Sequence, residues 1–77
     1  MQLQIVLSAN EHRLLEFMIR RRGHLCRYEE LMKEVWGGEM DKRHVHELVS
    51  RIRKKIGDDE VKQIIQFRPG LGVVLMR

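Results

Sequence analysis

Basic and hydrogen-bonding side chains are concentrated between Asp41 and Gly57. This segment holds six basic residues and two acidic ones, so it carries the whole formal net charge of +4. The stretches before and after it are each neutral. Arginine and lysine neutralise phosphates, and arginine also bonds bidentately to guanine. The segment therefore has the chemistry of a polyanion-binding surface.

Helical spacing divides this segment into two faces. The apolar face comprises Val45, Leu48, Val49, Ile52 and Ile56. The outer face comprises Arg43, Glu47, Ser50, Arg51 and Lys54, with His44 and His46 at its borders. A B-DNA major groove is about 12 Å wide and admits one helix of this kind. We therefore predict a DNA-binding helix over residues 41–56, the alternative being a solvated helix with a cationic surface.

The histidines and the cysteine are poorly spaced for a metal site. His24 and Cys26 lie two residues apart, as do His44 and His46, whereas zinc sites use spacings such as C-x2-C or H-x3-H. On a helix, residues two apart point away from each other. We expect no metal and no cofactor.

Cys26 is the only cysteine, and no signature of a catalytic nucleophile surrounds it. We interpret it as a structural residue and expect no enzymatic activity. Because no intramolecular disulfide can form and no signal peptide or membrane-spanning run is visible, we expect a cytoplasmic location without membrane contact.

Residues typical of helix ends predict the positions of three helices. Ser8 and Glu11 form an S-x-x-E capping box at the start of the first helix, and Gly23 follows its end. A second helix covers 28–36. Asp41 is the expected N-cap of the third helix, and Gly57 is its C-terminal stop.

Alternating or continuous apolar residues predict three short strands. The first is Leu3–Leu7, and the others are Ile64–Phe67 and Val73–Met76. Pro69-Gly70 suits a type II turn between the last two. Arg68 would then lie at the tip of a hairpin that could reach an adjacent groove or phosphate.

Three motifs together resemble the OmpR/PhoB-type winged-helix domain, the output domain of many bacterial response regulators in two-component systems. They are Leu7-Ser8-x-x-Glu11-x-x-Leu14-Leu15, Glu30-Leu31-Met32-x-x-Val35-Trp36-Gly37, and Arg43-x-Val45-x-x-Leu48-Val49-Ser50-Arg51-Ile52-Arg53-Lys54-Lys55-Ile56. The resemblance covers nearly the whole chain. It implies an α+β fold, a winged helix-turn-helix with a three-helix core and a C-terminal β-hairpin wing at about 64–76, and a role in transcriptional regulation.

The resemblance also implies partners and site residues. The partner is double-stranded DNA, with RNA polymerase and a second copy of the chain on DNA as further candidates. By matching position, the DNA-contacting residues are Arg43, His44, Glu47, Ser50 and Arg51, with Arg68 in the wing, and the helical wheel adds Lys54.

The sequence departs from the family pattern at several points. Only the last strand of the sheet that usually precedes the first helix could fit, and the receiver domain is absent. Residues 1–77 are therefore expected to be one domain, a fragment of a larger regulator or a reduced relative. The loop Gly37–Lys42 is shorter than usual, Val73 stands where an aromatic residue is common, and Glu47 stands where a small apolar residue is common.

Two hypotheses for function remain open. The first is a sequence-specific DNA-binding regulator, which the charge concentration in 41–57 favours. The second is a winged-helix module whose basic helix binds an acidic protein surface, which Glu47 favours. In the first case Glu47 either accepts a hydrogen bond from cytosine, with Arg43 and Arg51 offsetting its charge, or only binds these two arginines.

Overall fold

The computed structural model describes residues 6–59 and 61–76. Three helices and a three-stranded antiparallel sheet follow one another along the chain. They are α1 Ala9–Arg20, β1 Leu25–Arg27, α2 Tyr28–Trp36, α3 Lys42–Ile56, β2 Ile65–Arg68 and β3 Gly72–Leu75. The predicted α+β fold with a C-terminal hairpin is confirmed.

Three predicted helix ends are confirmed by their caps, whereas α1 ends at Arg20 with Arg21 as its C-cap, short of the predicted stop at Gly23. The Ser8 hydroxyl accepts a hydrogen bond from the Glu11 amide at 3.2 Å, and the Glu11 carboxylate accepts one from the Ser8 amide at 2.7 Å. Asp41 caps α3 by accepting from the Arg43 amide at 2.9 Å. Gly57 ends α3 with a φ of 74°, a left-handed conformation that glycine adopts without a steric penalty.

The hairpin strands each lie one residue away from their predicted limits. The pairing of β2 with β3 begins at Ile65, which lies opposite Leu75, whereas the Ile64 amide donates to Asp58 and the Ile64 carbonyl accepts from the Met76 amide. Strand β2 continues to Arg68, which pairs with Gly72. The predicted type II turn is confirmed, since Gly70 has a φ of 75° and the Leu71 amide donates to the Arg68 carbonyl at 2.9 Å.

Strand β1 was not predicted from the sequence. Its three residues pair with β3, and the sheet order is β1-β3-β2. The predicted strand Leu3–Leu7 lies outside the described residues except for Val6 and Leu7, which have no regular secondary structure.

Gly72 occupies the centre of the sheet, between Arg27 of β1 and Arg68 of β2. A Cβ atom at this position would lie 2.0 Å from the carbonyl oxygen of Cys26. The close approach of β1 to β3 therefore requires glycine at position 72.

The core lies between the three helices and the inner face of the sheet. Its members are apolar residues from every element of the fold: Leu14, Phe17, Met18, Cys26, Tyr28, Leu31, Met32, Val35, Val45, Leu48, Val49, Ile52, Ile65, Val73 and Leu75. Within the described residues, no helix combines the length and the apolar character needed to cross a bilayer.

One buried ion pair joins α1 to α3. Glu11 is 1% exposed, and its Oε1 atom accepts a hydrogen bond from Lys55 Nζ at 2.6 Å. This bond, together with that from the Ser8 amide, outweighs the effect of burial and lowers the pKa of Glu11 below its usual value. The same carboxylate thus caps α1 and fixes the last turn of α3.

We predict that Lys55→Ala lowers the free energy of unfolding by about 1–3 kcal/mol, because it leaves a buried carboxylate short of a donor. Since the pKa of Glu11 is lowered in the folded state, this contribution is fully present above about pH 4.3 and is lost as the pH falls further. Urea unfolding of both proteins across the acid range measures the difference.

Lys54→Ala is the matched control, because Lys54 is exposed and forms no ion pair within the described residues. It should change the free energy of unfolding by no more than about 0.5 kcal/mol. Equal unfolding midpoints for the two alanine variants would contradict a stabilising role for the Glu11–Lys55 pair.

Candidate nucleic-acid interface

The predicted outer face of α3 is exposed in the structure. The apolar residues of the helix enter the core, and Val45, Val49 and Ile52 are completely buried. The predicted site residues of this helix are all exposed: Arg43, His44, Glu47, Ser50, Arg51 and Lys54. The structure therefore brings these six side chains together on the solvent side of one helix.

Arg43 is bound by the residue that caps its own helix. Its Nε and Nη2 atoms donate to Asp41 Oδ2 at 3.0 and 2.8 Å. The hydrogen bonds from Arg43 lower the pKa of Asp41 to about 2. The Arg43 side chain remains 86% exposed, so the outer edge of its guanidinium can still meet a ligand.

Glu47 does not form the expected pairs with Arg43 and Arg51. Arg43 binds Asp41 instead, and no basic group of the described residues lies within ion-pair distance of Glu47. Glu47 still acts on Arg43 through its charge, which adds to the effect of Asp41 in raising the pKa of Arg43. Its carboxylate is an exposed acceptor in the middle of a cationic face.

Two of the six basic residues in this segment serve the fold. Lys55 binds Glu11, and Arg53 Nε donates to Asp58 Oδ2 at 3.0 Å. Arg51 and Lys54, by contrast, are exposed and form no ion pair within residues 6–59 and 61–76. The charge available to a ligand is therefore smaller than the sequence total suggests.

Asp58 connects α3 to the hairpin. Its side chain is completely buried and accepts hydrogen bonds from the amides of Ile64 and Ile65 at 2.8 and 2.9 Å. Burial alone would raise the pKa of Asp58, but these amides and the Arg53 guanidinium together lower it. This role of Asp58 was not predicted from the sequence. The only sequence feature that points to it is the position of an acidic residue directly after Gly57, which ends α3.

Arg68 ends strand β2 and is not at the tip of the hairpin, which Pro69, Gly70 and Leu71 form. It is half-buried, and its Nη1 atom donates to Gln66 Oε1 at 2.8 Å. The predicted wing arginine therefore lies just below the tip.

Histidine residues 44 and 46 have different surroundings. The ring of His44 makes an edge contact with the half-buried Trp36 at a centroid distance of 6.3 Å. His46 Nε2 lies 2.8 Å from the Tyr28 hydroxyl, and its ring stacks with Phe67 at 4.5 Å. Of the two histidines, only His46 therefore contacts the hairpin.

Comparison with known proteins decides the family. The family model described as "Transcriptional regulatory protein, C terminal" matches residues 2–75. The chain belongs to this family. It is a family of transcriptional regulators and not of enzymes, and the predicted function of a DNA-binding regulatory domain of the OmpR/PhoB type is confirmed at this level.

Solved structures of the same fold are similar to this domain. The DNA-binding domain of Bacillus subtilis CssR is 30% identical, with a TM-score of 0.80, and the match covers 94% of this chain and 80% of that one. The response regulator AdeR DNA-binding domain, in complex with an intercistronic region, is 25% identical, with a TM-score of 0.84 and coverages of 100% and 79%. The Klebsiella pneumoniae RstA DNA-binding domain, in complex with the RstA box, is 24% identical, with a TM-score of 0.83 and coverages of 94% and 74%. A comparison with curated proteins found no match.

The cysteine and histidines of this regulatory domain do not assemble a reactive centre. Cys26 is completely buried in β1, and burial raises the pKa of its thiol. Within the described residues, no three His, Cys, Asp or Glu side chains lie close enough together to hold a metal ion.

We predict that Asp58→Asn accelerates hydrogen exchange at the amides of Ile64 and Ile65 and lowers the free energy of unfolding by about 1–3 kcal/mol. The neutral amide accepts less strongly and cannot pair with Arg53. Native-state hydrogen exchange followed by NMR measures both effects.

Asp59→Asn provides the control, since Asp59 accepts bonds from the amides of an exposed turn. It should leave the exchange of Ile64 and Ile65 unchanged. If both variants protect these amides as the wild type does, Asp58 does not hold the hairpin.

Proposed function

We propose that α3 enters the major groove of double-stranded DNA and that residues 64–76 act as the wing. Arg43, His44, Glu47, Ser50, Arg51 and Lys54 would face the groove or its flanking phosphates, and Arg68 would contact an adjacent groove or the backbone. The observation that carries the proposal is the pair of exposed cations Arg51 and Lys54, which lack an ion partner among the described residues and share a face with hydrogen-bonding side chains.

Electrostatics favours a polyanion on this face. A cation already bonded to a carboxylate gains less from a phosphate, since the carboxylate offsets part of its charge. Arg51 and Lys54 have no such competitor in the described residues, so each can neutralise a phosphate and release its counterions.

Hydrogen-bonding groups on the same face give the means of sequence selection. Arginine matches the two acceptors of guanine, a serine hydroxyl bonds to several bases, and a carboxylate accepts from the cytosine amine. Arg43, Ser50 and Glu47 supply these three kinds of group on the exposed face of α3.

Two of the similar structures support a DNA ligand. The RstA and AdeR domains were both solved in complex with DNA. The present chain shares their fold with TM-scores of 0.83 and 0.84. We therefore assign the same class of ligand to this domain, with no catalytic step.

We also propose that the domain acts within a larger regulator. The support is the description of its family, which names the C-terminal part of a regulatory protein. The sequence of the complete gene product tests this proposal.

The salt dependence of DNA binding separates phosphate-binding cations from structural ones. The slope of log K against log salt is negative for a protein that neutralises phosphates. We predict that Arg51→Ala and Lys54→Ala each make this slope shallower, by about 0.9 for every phosphate that the replaced side chain neutralises. Lys55→Ala should leave the slope unchanged, because Lys55 is bonded to Glu11. Fluorescence anisotropy with a random duplex, at several salt concentrations, measures the slopes.

An acidic protein partner in place of DNA would give a different result. Wild-type domain would then bind duplex weakly, and the slope would not depend on Arg51 or Lys54. Equal slopes for the Lys54 and Lys55 variants would likewise contradict the proposed orientation of α3.

Replacement of Glu47 tests whether the outer face of α3 distinguishes one DNA sequence from another. Glu47→Ala should remove the preference for cytosine at one position of a site selected from random duplexes, since the carboxylate accepts from the cytosine amine. Non-specific affinity should rise slightly, because a negative charge facing phosphates is gone.

The control is Glu39→Ala, which removes an exposed carboxylate from the loop before α3. Its selected site should match that of the wild type. If the Glu47 variant also selects the wild-type site while binding every sequence more tightly, Glu47 makes no base contact.

A further inference from the structure

Three aromatic rings meet between α2, α3 and the hairpin. Tyr28 is the first residue of α2, His46 lies in the second turn of α3, and Phe67 lies in β2. The imidazole is nearly parallel to both other rings, with centroid distances of 5.7 Å to Tyr28 and 4.5 Å to Phe67. We call these three residues the aromatic cluster.

Polar contacts add to the stacking in this cluster. The Tyr28 hydroxyl lies within hydrogen-bond distance of His46 Nε2, at 2.8 Å. The ammonium of Lys42, at the start of α3, lies 5.1 Å from the centroid of the Tyr28 ring. Tyr28 is therefore in contact with α3 at two positions one turn apart.

The three rings of the aromatic cluster differ in how much of each is exposed to solvent. Tyr28 is 4% exposed and belongs to the core, whereas His46 is exposed and Phe67 is half-buried. An exposed imidazole contributes little to folding through burial. Its two stacking contacts instead join the outer part of α3 to the hairpin.

The hairpin has a second attachment to α3, at its base. Asp58 binds the amides of Ile64 and Ile65 as well as Arg53. The aromatic cluster lies farther along β2, next to Arg68. Besides these attachments, β3 pairs with β1, and the Leu71 carbonyl near the tip accepts a hydrogen bond from the Tyr28 amide at 3.2 Å. The aromatic cluster adds the contact that joins β2 itself to α3 beside Arg68.

We propose that His46 is a positioning residue for the wing. By stacking with Phe67 and bonding to Tyr28, it holds the hairpin in a fixed relation to α3, so that Arg68 and the outer face of α3 meet one DNA duplex together. This inference rests on the proposed function and adds to it a residue that contacts neither base nor phosphate.

A fixed geometry matters because α3 and the wing share one ligand. Once α3 is bound, a rigidly held wing meets the duplex at a high effective concentration, with little further ordering cost. Without the cluster, β2 keeps its sheet pairing but loses the contact with α3 beside Arg68, so this part of the wing is held less firmly and Arg68 contributes less. The contribution of Arg68 to affinity should therefore depend on His46.

A double-mutant cycle measures this dependence, with affinity for a selected duplex taken from fluorescence anisotropy. We expect Arg68→Ala to weaken binding about tenfold in the wild type and less than about threefold in the His46→Ala background. The cost of Lys54→Ala should be the same in both backgrounds, since Lys54 acts from α3 alone. Hydroxyl-radical footprinting of His46→Ala should show weaker protection of the DNA backbone beside the wing and unchanged protection of the backbone that flanks α3.

Two further variants separate stacking from stability. His46→Phe keeps a ring for Phe67 and should restore most of the Arg68 contribution. Phe67→Leu keeps an apolar side chain in β2 but removes the ring, so it should behave as His46→Ala does. His12→Ala, which replaces an exposed histidine on α1, should leave the cost of Arg68→Ala unchanged.

An equal cost of Arg68→Ala in both backgrounds, or no cost in the wild type, would overturn the positioning role. The proposed function is judged separately, by the effect of Arg51→Ala and Lys54→Ala in the wild-type protein. Retained duplex affinity in those two variants would refute DNA binding through α3 itself.

Discussion

The rotation of α3 about its own axis is the constraint on which the rest of the structure depends. Its core side chains are buried on one side, and an ion pair lies on each flank, Lys55 with Glu11 of α1 and Arg53 with Asp58 before the wing. Successive residues of a helix are separated by about 100°, so turning α3 by one residue would break both pairs and move charge into the core. The exposure of the outer face follows from these inner contacts.

Signals between residues close together in the sequence were sufficient to predict the helices and the hairpin turn. The capping box at Ser8, the N-cap at Asp41 and the stop at Gly57 depend on residues within one turn of each other, and all three are present. The division of α3 into two faces was also predictable, because its apolar residues recur with the period of a helix and the same residues are buried in the structure. Pro69-Gly70 determined the turn through backbone conformation alone.

Contacts between distant residues could not be predicted in the same way. Lys55 and Glu11 are 44 residues apart, and the Tyr28–His46 bond spans 18 residues, so no spacing rule relates them. Strand β1 is three residues long, too short for an alternating pattern to distinguish it from a loop. The expected i,i+4 pairing of Arg43 with Glu47 failed for a local reason, since the N-cap Asp41 offers the same guanidinium a closer carboxylate.

The outer face of α3 carries two kinds of charged side chain, because Arg43 is bonded to Asp41 whereas Arg51 and Lys54 form no ion pair within the described residues. Two of the donor groups of Arg43 are already bonded to a carboxylate that offsets its charge, so its gain from a phosphate is small, whereas a base that offers two acceptors can use its remaining donors. Glu47 likewise gains only from a donor and is repelled by phosphates. Arg51 and Lys54 meet neither obstacle within the described residues. Arg43 and Glu47, near the start of α3, are therefore suited to discrimination between sequences, and Arg51 and Lys54, farther along the helix, to affinity for any duplex.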